Sequence, residues 1–430
     1  MVYDNVRGTP QQGRPLDGVR VLAAEQMQAL PYATMVLARL GADVVKVEPL
    51  GGESGRQSQP SRSEPSGRQV GATFLRNNLG KRSVAIDLRS DAGRELFLRL
   101  APKFDVVAEN FRGGAIEELG LGYEAVRAVH PHVIYVSVSG FGNGDGSGSG
   151  SGSGKDKGNG ERSPYAGWPA YSSVVEAMSG IYDYTRRPGE APRANPVGPL
   201  GDVSSALFAA VGILAALRHR DRTGEGQRVD VAMLDATVAM TDIVTNLGSM
   251  GQPRLPYPAP YILDTFRAAD GWFVMQVVRE HQLERLAQTV GHPEWIGDPR
   301  LATREGWGEQ LDALIRPGVE EWAAARTKEG AARELMAAGV AAGPCHTSAD
   351  VLADPHLLAR QMLVEVDRVD GSEEGVVVPG DPIKLSNVAE AQDRRIPWLG
   401  EHTAEVLGTE LGLDEDELAE LAAAGVICSS

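Results

Sequence analysis

Apolar residues come in short blocks through the first half of the chain, and the blocks alternate between two periods. Val19-Arg20-Val21-Leu22-Ala23 reads as a strand. Pro31 to Leu40 carries apolar residues at helical spacing and stops at Gly41, a residue suited to ending a helix. Asp43 to Glu48 is a second strand, closed by Gly51-Gly52. Ser83 to Leu88 is a third, after which Ser90 caps a helix running to about Leu100. Asp105 to Ala108 and Val133 to Val138 are further strands. Strands separated by helices of about 10–15 residues predict an α/β fold built on a Rossmann-like, doubly wound parallel sheet.

The pattern then breaks. Gly144 to Gly160 (GDGSGSGSGSGKDKGNG) is low in complexity and reads as a solvated loop. Arg228 to Met233 is strand-like, and Gly251 to Pro260 is rich in proline, as linkers are. Gly271 to Val278 opens a smaller α/β unit, and the tail from about Asp381 reads as an extended piece and a charged helix. The expected division is a large domain over residues 1–230, a linker over 231–267, a small domain over 268–350, and a return linker with the C-terminal part of the large domain over 351–430.

Composition narrows the function classes. The 430 residues suffice for two or three domains, and 42% apolar content for a sizeable core. A net charge of -16 argues against nucleic acid or an anionic membrane as partner. Cys345 and Cys428 stand far apart and read as reduced thiols, which points to the cytoplasm. No apolar stretch follows the first charged residues, so no leader is expected. The longest apolar run, Ala206 to Leu217, falls short of the roughly 20 residues a bilayer needs and reads as a buried helix. No G-x-x-x-x-G-K-[ST] is present and no G-x-G-x-x-G follows a strand, so no nicotinamide or flavin is expected. Eight histidines form no H-E-x-x-H and no Cys/His cluster, so no metal is expected. G-x-S-x-G occurs only inside the Gly/Ser repeat, without the strand–turn–helix context that gives it meaning.

The segment with chemistry in it is Gly198-Pro-Leu-Gly-Asp202, followed by a long apolar helix whose far end carries Arg218, Arg220 and Arg222. Asp202 is expected at the helix N-cap, where free N–H groups and the positive dipole end favour a carboxylate. On local grounds capping is the commoner role for such an aspartate, and catalysis the rarer one.

From about Pro15 to Ile427 the chain resembles class III CoA-transferases, the family of formyl-CoA transferase and crotonobetainyl-CoA:carnitine (CaiB-like) CoA-transferase. The likeness is carried by PLDGVRVL from Pro15, ATMVLARLGADVVKVE from Ala33, NLGKRSVAIDL from Asn78 and DVVAENFR from Asp105. It continues in the Gly201-Asp202 helix, in TGEGQRVDVAMLDA from Thr223, in Gly343-Pro344 and in LGEHT from Leu399. The resemblance implies an enzyme that moves CoA from an acyl-CoA thioester to a carboxylic acid, with Asp202 as nucleophile and an aspartyl-CoA thioester as intermediate. It implies an interlocked homodimer, and coenzyme A as part of the substrate rather than a resident cofactor. Gln28 matches a glutamine that orients substrate and contacts the oxyanion. Gln26 stands where a histidine is common, with Ala29 beside the same loop. Ile86, Arg89 and Asn110 match positions lining the nucleotide and Arg112 an arginine common at the site; Gln26, Ala29, Lys81 and Tyr171 are the further CoA-contact candidates the resemblance implies. Pro49 and Glu118 stand where relatives can have arginine. Glu118 would repel phosphate, so Lys81, Arg82 and Arg76 are the candidates to compensate.

The same fold carries α-methylacyl-CoA racemisation, which needs an acid/base pair. Such racemases place His-Asp where this chain has Tyr171-Ser172. A non-enzymatic acyl-CoA-binding protein is the other alternative, against which Gln28 and Asp202 speak. Enzymes that use oxalate carry a glycine-rich loop in the small domain. Leu255 to Arg267 has no glycine run, so a succinyl-CoA-type donor with another organic acid is the expectation.

Overall fold

The structure, a computed structural model, describes residues 13–63, 69–142, 163–185, 189–195, 197–251, 259–366, 375–388 and 395–428. The chain divides into two compact units. The large one holds residues up to Asp183, Arg193–Ile243 and Ala359 onward; the small one holds Tyr184–Pro192 and Val244–Leu358.

Six parallel strands form the large unit's sheet: β1 (Arg20–Ala24), β2 (Asp43–Glu48), β3 (Arg82–Ile86), β4 (Val106–Glu109), β5 (Ile134–Ser139) and β6 (Gln227–Ala232). A short strand, Ile427–Cys428, adds antiparallel to the free side of β3. The order across the sheet is Ile427–Cys428, β3, β2, β1, β4, β5, β6. The chain therefore builds outward from β1 on one side, then restarts with β4 on the other. The expected doubly wound sheet is present.

Alternation along each strand sorts the core into two layers. Val21, Ala23, Val44, Val106, Ala108, Ile134 and Val136 share one face. Leu22, Ala24, Val45, Val47, Val107 and Tyr135 share the other. Each such side chain contributes about 1.5–3 kcal/mol when fully buried, so strands buried on both faces favour a single register. The helices that concern the site are α1 (Ala29–Arg39), α2 (Ala72–Asn77), α3 (Asp91–Leu100), α4 (Tyr123–Val129), α5 (Ser172–Met178), α6 (Leu200–Thr223) and α7 (Met233–Ala239). α1 and α6 lie on the first face, where Leu30, Ala33 and Leu37 share a cluster with Ala209, Ile213 and Ala216. The small residues on α6 allow that close approach. α3, α4 and the helix Thr403–Leu411 cover the second face through Phe97, Val126 and Val406.

Local chemistry explains the helix ends. Pro31 occupies the first turn of α1, where no intrahelical N–H is needed. Gly41 follows α1 at φ +116°, and a Cβ there would stand 2.7 Å from Arg14 Cβ. Ser90 caps α3 by accepting from Gly93 N–H at 3.0 Å.

Three expectations need correction or limits. α6 is not buried all round: Leu207, Phe208, Val211 and Leu214 are exposed, because only one side packs on α1 and the sheet. At 24 residues it has the length and apolarity of a membrane-crossing helix, although half of its most apolar stretch is buried within the protein. Residues 231–267 are not a plain linker: they hold the end of β6, then α7, then the strand Ile262–Arg267. That strand pairs with Trp272–Val277, which pairs with Ala341–Pro344, forming the small unit's antiparallel sheet. Its core gathers on Phe266, Phe273 and Trp307. The Gly/Ser-rich stretch 144–160 and most of the proline-rich segment lie outside the described residues.

Candidate active site

Topology brings the functional segments to one edge. α1 follows β1, and α6 precedes β6; since β1 and β6 run the same way, both helices start at the carboxyl edge of the sheet. β1 and β4 are neighbours whose chains leave in opposite directions, the switch point where open α/β sheets bind ligands. The loop after β1 carries Gln26 and Gln28, and the loop after β4 carries Asn110 and Arg112.

Asp202 is not the N-cap of α6. Pro199 holds that position without a capping side chain, and Asp202 is the third helical residue. The capping group comes from α5 instead. Ser172 Oγ accepts from the N–H of Gly201 at 2.8 Å and of Asp202 at 3.2 Å. A Cβ on Gly201 would stand 2.5 Å from Val175 Cγ2 and 3.0 Å from Ser172 Oγ, so glycine is what lets the two helices meet. Ser172 in turn donates to Glu176 Oε1 at 2.5 Å. Buried Glu176 also accepts from Tyr182 Oη at 2.7 Å and from Gly201 N–H at 3.3 Å.

With the first-turn N–H groups taken by Ser172, the Asp202 carboxylate is left without a hydrogen-bond donor among the described residues. Burial, and then the nearby charge of Glu176, push its pKa up to about 6. A partly desolvated, unpaired carboxylate is a more basic and more reactive nucleophile than a solvated one. Burial also raises Tyr182, with its hydrogen bond to Glu176 adding to the effect.

The loop before α1 is the second component. Gln28 is the N-cap residue of α1, and its Nε2 is buried with no hydrogen-bond partner among the described residues. A buried donor left unpaired costs about 1–3 kcal/mol, so this amide is available to a group from outside the described residues. Gln26 is held by its backbone: Asn110 accepts from its N–H at 2.8 Å and donates to its carbonyl at 2.9 Å. Asn110 therefore ties the two switch-point loops together, and both ends of its amide are occupied. Ala29 is buried at the start of α1.

The remaining predicted residues divide. Arg112 is half exposed, donates to Gly167 carbonyl at 3.0 Å, and lies 3.9 Å from Glu118, whose charge it offsets. Arg89 is exposed just after β3, with no ion pair among the described residues. Tyr171 is 72% exposed at the start of α5. Ile86 is a core residue with no exposed surface, because the Ile427–Cys428 strand covers that side of β3, so it lines nothing. Lys81 is no phosphate partner either: fully enclosed, it donates to Glu25 at 2.6 Å, Pro31 carbonyl at 2.9 Å and Asn78 at 3.0 Å. Arg82 sits at the opposite sheet edge, paired with Asp43 and Glu405. Arg76, stacked over Tyr32 at 5.3 Å, alone of the three stays free of an ion pair among the described residues.

Sequence reasoning missed Glu176 and the capping role of Ser172. A glutamate on a short helix ordinarily reads as a solvated face; the one available signal was its place among the apolar residues of SSVVEAM. Among the described residues there is no group of three or more His, Cys, Asp or Glu able to hold a metal ion.

Residues 16–403 match the sequence profile of CoA-transferase family III. The chain is 36% identical to succinyl-CoA:mesaconate CoA-transferase of Haloarcula hispanica, over 91% of this chain and 95% of that protein. It is also 36% identical to succinyl-CoA–D-citramalate CoA-transferase of Chloroflexus aurantiacus, over 96% and 98%. Among solved structures, a CAIB/BAIF family protein from Brucella suis superposes with a TM-score of 0.79 at 32% identity, covering 93% of this chain and all of that one. Profile, relatives and fold agree, and the chain belongs to CoA-transferase family III as an enzyme that transfers CoA between acyl-CoA and carboxylate.

Proposed function

We propose that the transfer proceeds through a covalent aspartyl-CoA thioester on Asp202. A carboxylate oxygen of Asp202 attacks the acyl-CoA carbonyl and the CoA thiolate leaves, giving a mixed anhydride. The thiolate then attacks the Asp202 carbonyl, forming the enzyme thioester and releasing the first acid as its carboxylate. The acceptor carboxylate attacks that thioester, again expelling thiolate, and the thiolate attacks the acceptor's acyl carbonyl. This yields the new acyl-CoA and restores the Asp202 carboxylate. Gln28 Nε2 donates to the oxyanion of the tetrahedral intermediates. Arg89, Arg112 and Arg76 are the basic groups offered to the CoA phosphates. The observation carrying this reading is the unpaired, partly desolvated carboxylate of Asp202, freed from capping by Ser172.

The relatives' names guide the substrate assignment: succinyl-CoA as donor and a short dicarboxylate as acceptor. The racemase alternative has no support at Tyr171-Ser172, since Ser172 is committed to Glu176 and to the α6 backbone. The test is mass spectrometry after exposure to a panel of acyl-CoAs. A CoA adduct on the peptide containing Asp202 is expected with succinyl-CoA. No adduct across the panel, together with transfer retained in Asp202→Ala, would sink the mechanism.

A homodimer is part of the same reading. Leu207, Phe208, Val211 and Leu214 form an exposed apolar stripe along α6, and Tyr171, Val174 and Met178 another along α5. A second copy covering them would leave no such surface in water. Light scattering should give the mass of two chains; a monomer would refute the assignment.

A further inference from the structure

Five consecutive main-chain polar groups, from the Glu25 carbonyl to the Met27 carbonyl, are held by side chains distant in sequence. Lys46 of β2 donates to the Glu25 carbonyl at 3.1 Å. Asn110 takes both polar groups of Gln26. Glu53 accepts the Met27 N–H at 2.9 Å, and Asn77, at the end of α2, donates to the Met27 carbonyl at 3.4 Å. Met27 stands at φ +58°, in the left-handed region that costs an ordinary side chain roughly 1–2 kcal/mol. The loop's own residues do not favour that shape; the clamp imposes it.

Beneath the loop the clamp is ionic and dry. Lys46 lies 3.5 Å from Glu53 and 3.6 Å from Glu25, all with almost no exposed surface. Buried ion pairs contribute little net stability over an apolar core of the same volume. Their use here is directional, since they set where the next residue points. That residue is Gln28, whose buried amide nitrogen has no partner among the described residues.

We propose that Lys46, Glu53 and Asn77 are positioning residues, which hold the 25–27 main chain so that the Gln28 amide stays aimed at the substrate's acyl oxygen. The inference rests on the reading of Gln28 as oxyanion donor. A double-mutant cycle on the full-length enzyme tests it, read as the single-turnover rate of aspartyl thioester formation. Gln28→Ala should slow that step about 10²–10³-fold. Glu53→Ala should slow it about tenfold or more, with KM for acyl-CoA changed less than about twofold. Glu53→Gln keeps an acceptor for the Met27 N–H and should restore the rate to within about threefold of wild type. The double variant Glu53→Ala/Gln28→Ala should be no slower than Gln28→Ala alone, because the clamp acts only through Gln28. Losses that multiply would overturn the proposal while leaving Gln28 as a donor. A full rate in Gln28→Ala would instead overturn the reading beneath it. If Glu53→Ala does not fold, Asn77→Ala serves in the same cycle.

Discussion

Two sets of carboxylates lie at the same edge of one sheet, and their pKa values move in opposite directions. Glu25 lies beside Lys46 and Lys81, and Glu48, at the end of β2, pairs with Arg56, both glutamates fully buried. Burial alone would raise both, yet Lys81 and Lys46 around Glu25, and Arg56 against Glu48, more than reverse it, so both fall below the usual carboxylate range. Asp202 has no cation beside it among the described residues, and burial with the charge of Glu176 lifts it to about 6. A desolvated carboxylate is held ionised where a cation answers it and is pushed toward its protonated form where none does.

The comparison can be broken first at the paired glutamates. Lys81→Met removes a cation that Glu25 depends on, and should cost about 3–5 kcal/mol of unfolding free energy, measured by urea denaturation. A loss under about 1 kcal/mol would show that Lys46 suffices alone. At Asp202 the sign reverses. The folded state holds the Asp202 proton more tightly than the unfolded chain does, so ionising it destabilises the fold. The penalty is fully present above about pH 6 and fades as pH falls toward 3.8. Asp202→Asn should therefore stabilise the protein by about 1–3 kcal/mol near pH 8 and by much less near pH 4.5. An equal effect at both pH values would contradict the shift.

The smallest effect sharpens the cause. Thioester formation should rise with pH through about 6 as Asp202 ionises. Glu176→Gln removes the second cause of the shift and should move that limb down by about half to one pH unit. An unmoved limb would assign the whole shift to burial.

Much of the fold was legible because its signals are local. DVVKVE and the block from Val133 to Val138 could only be buried strands, and Ser90 announced the helix it caps. The glycine turn and apolar helix placed Asp202 at a helix start and the family resemblance made it a candidate, but its exact place in the helix was not legible. The cap it was expected to supply comes from Ser172, thirty residues earlier in the chain. Lys81 and Arg82 were candidates to compensate for Glu118 at the phosphates; their pairing with Glu25 and Asp43 is visible only once the strands are adjacent.

The chain's apolar periodicity thus determined the parallel sheet, its helices and the edge to which Gln28 and Asp202 come. Tertiary structure alone decided which charges are answered. Coulomb energies and desolvation depend on distances of a few ångströms between residues tens of positions apart, and no local pattern encodes them. For that reason the pattern around Asp202 could be seen in the sequence, while its raised pKa follows from burial, from Glu176, and from the lack of a neighbouring cation among the described residues.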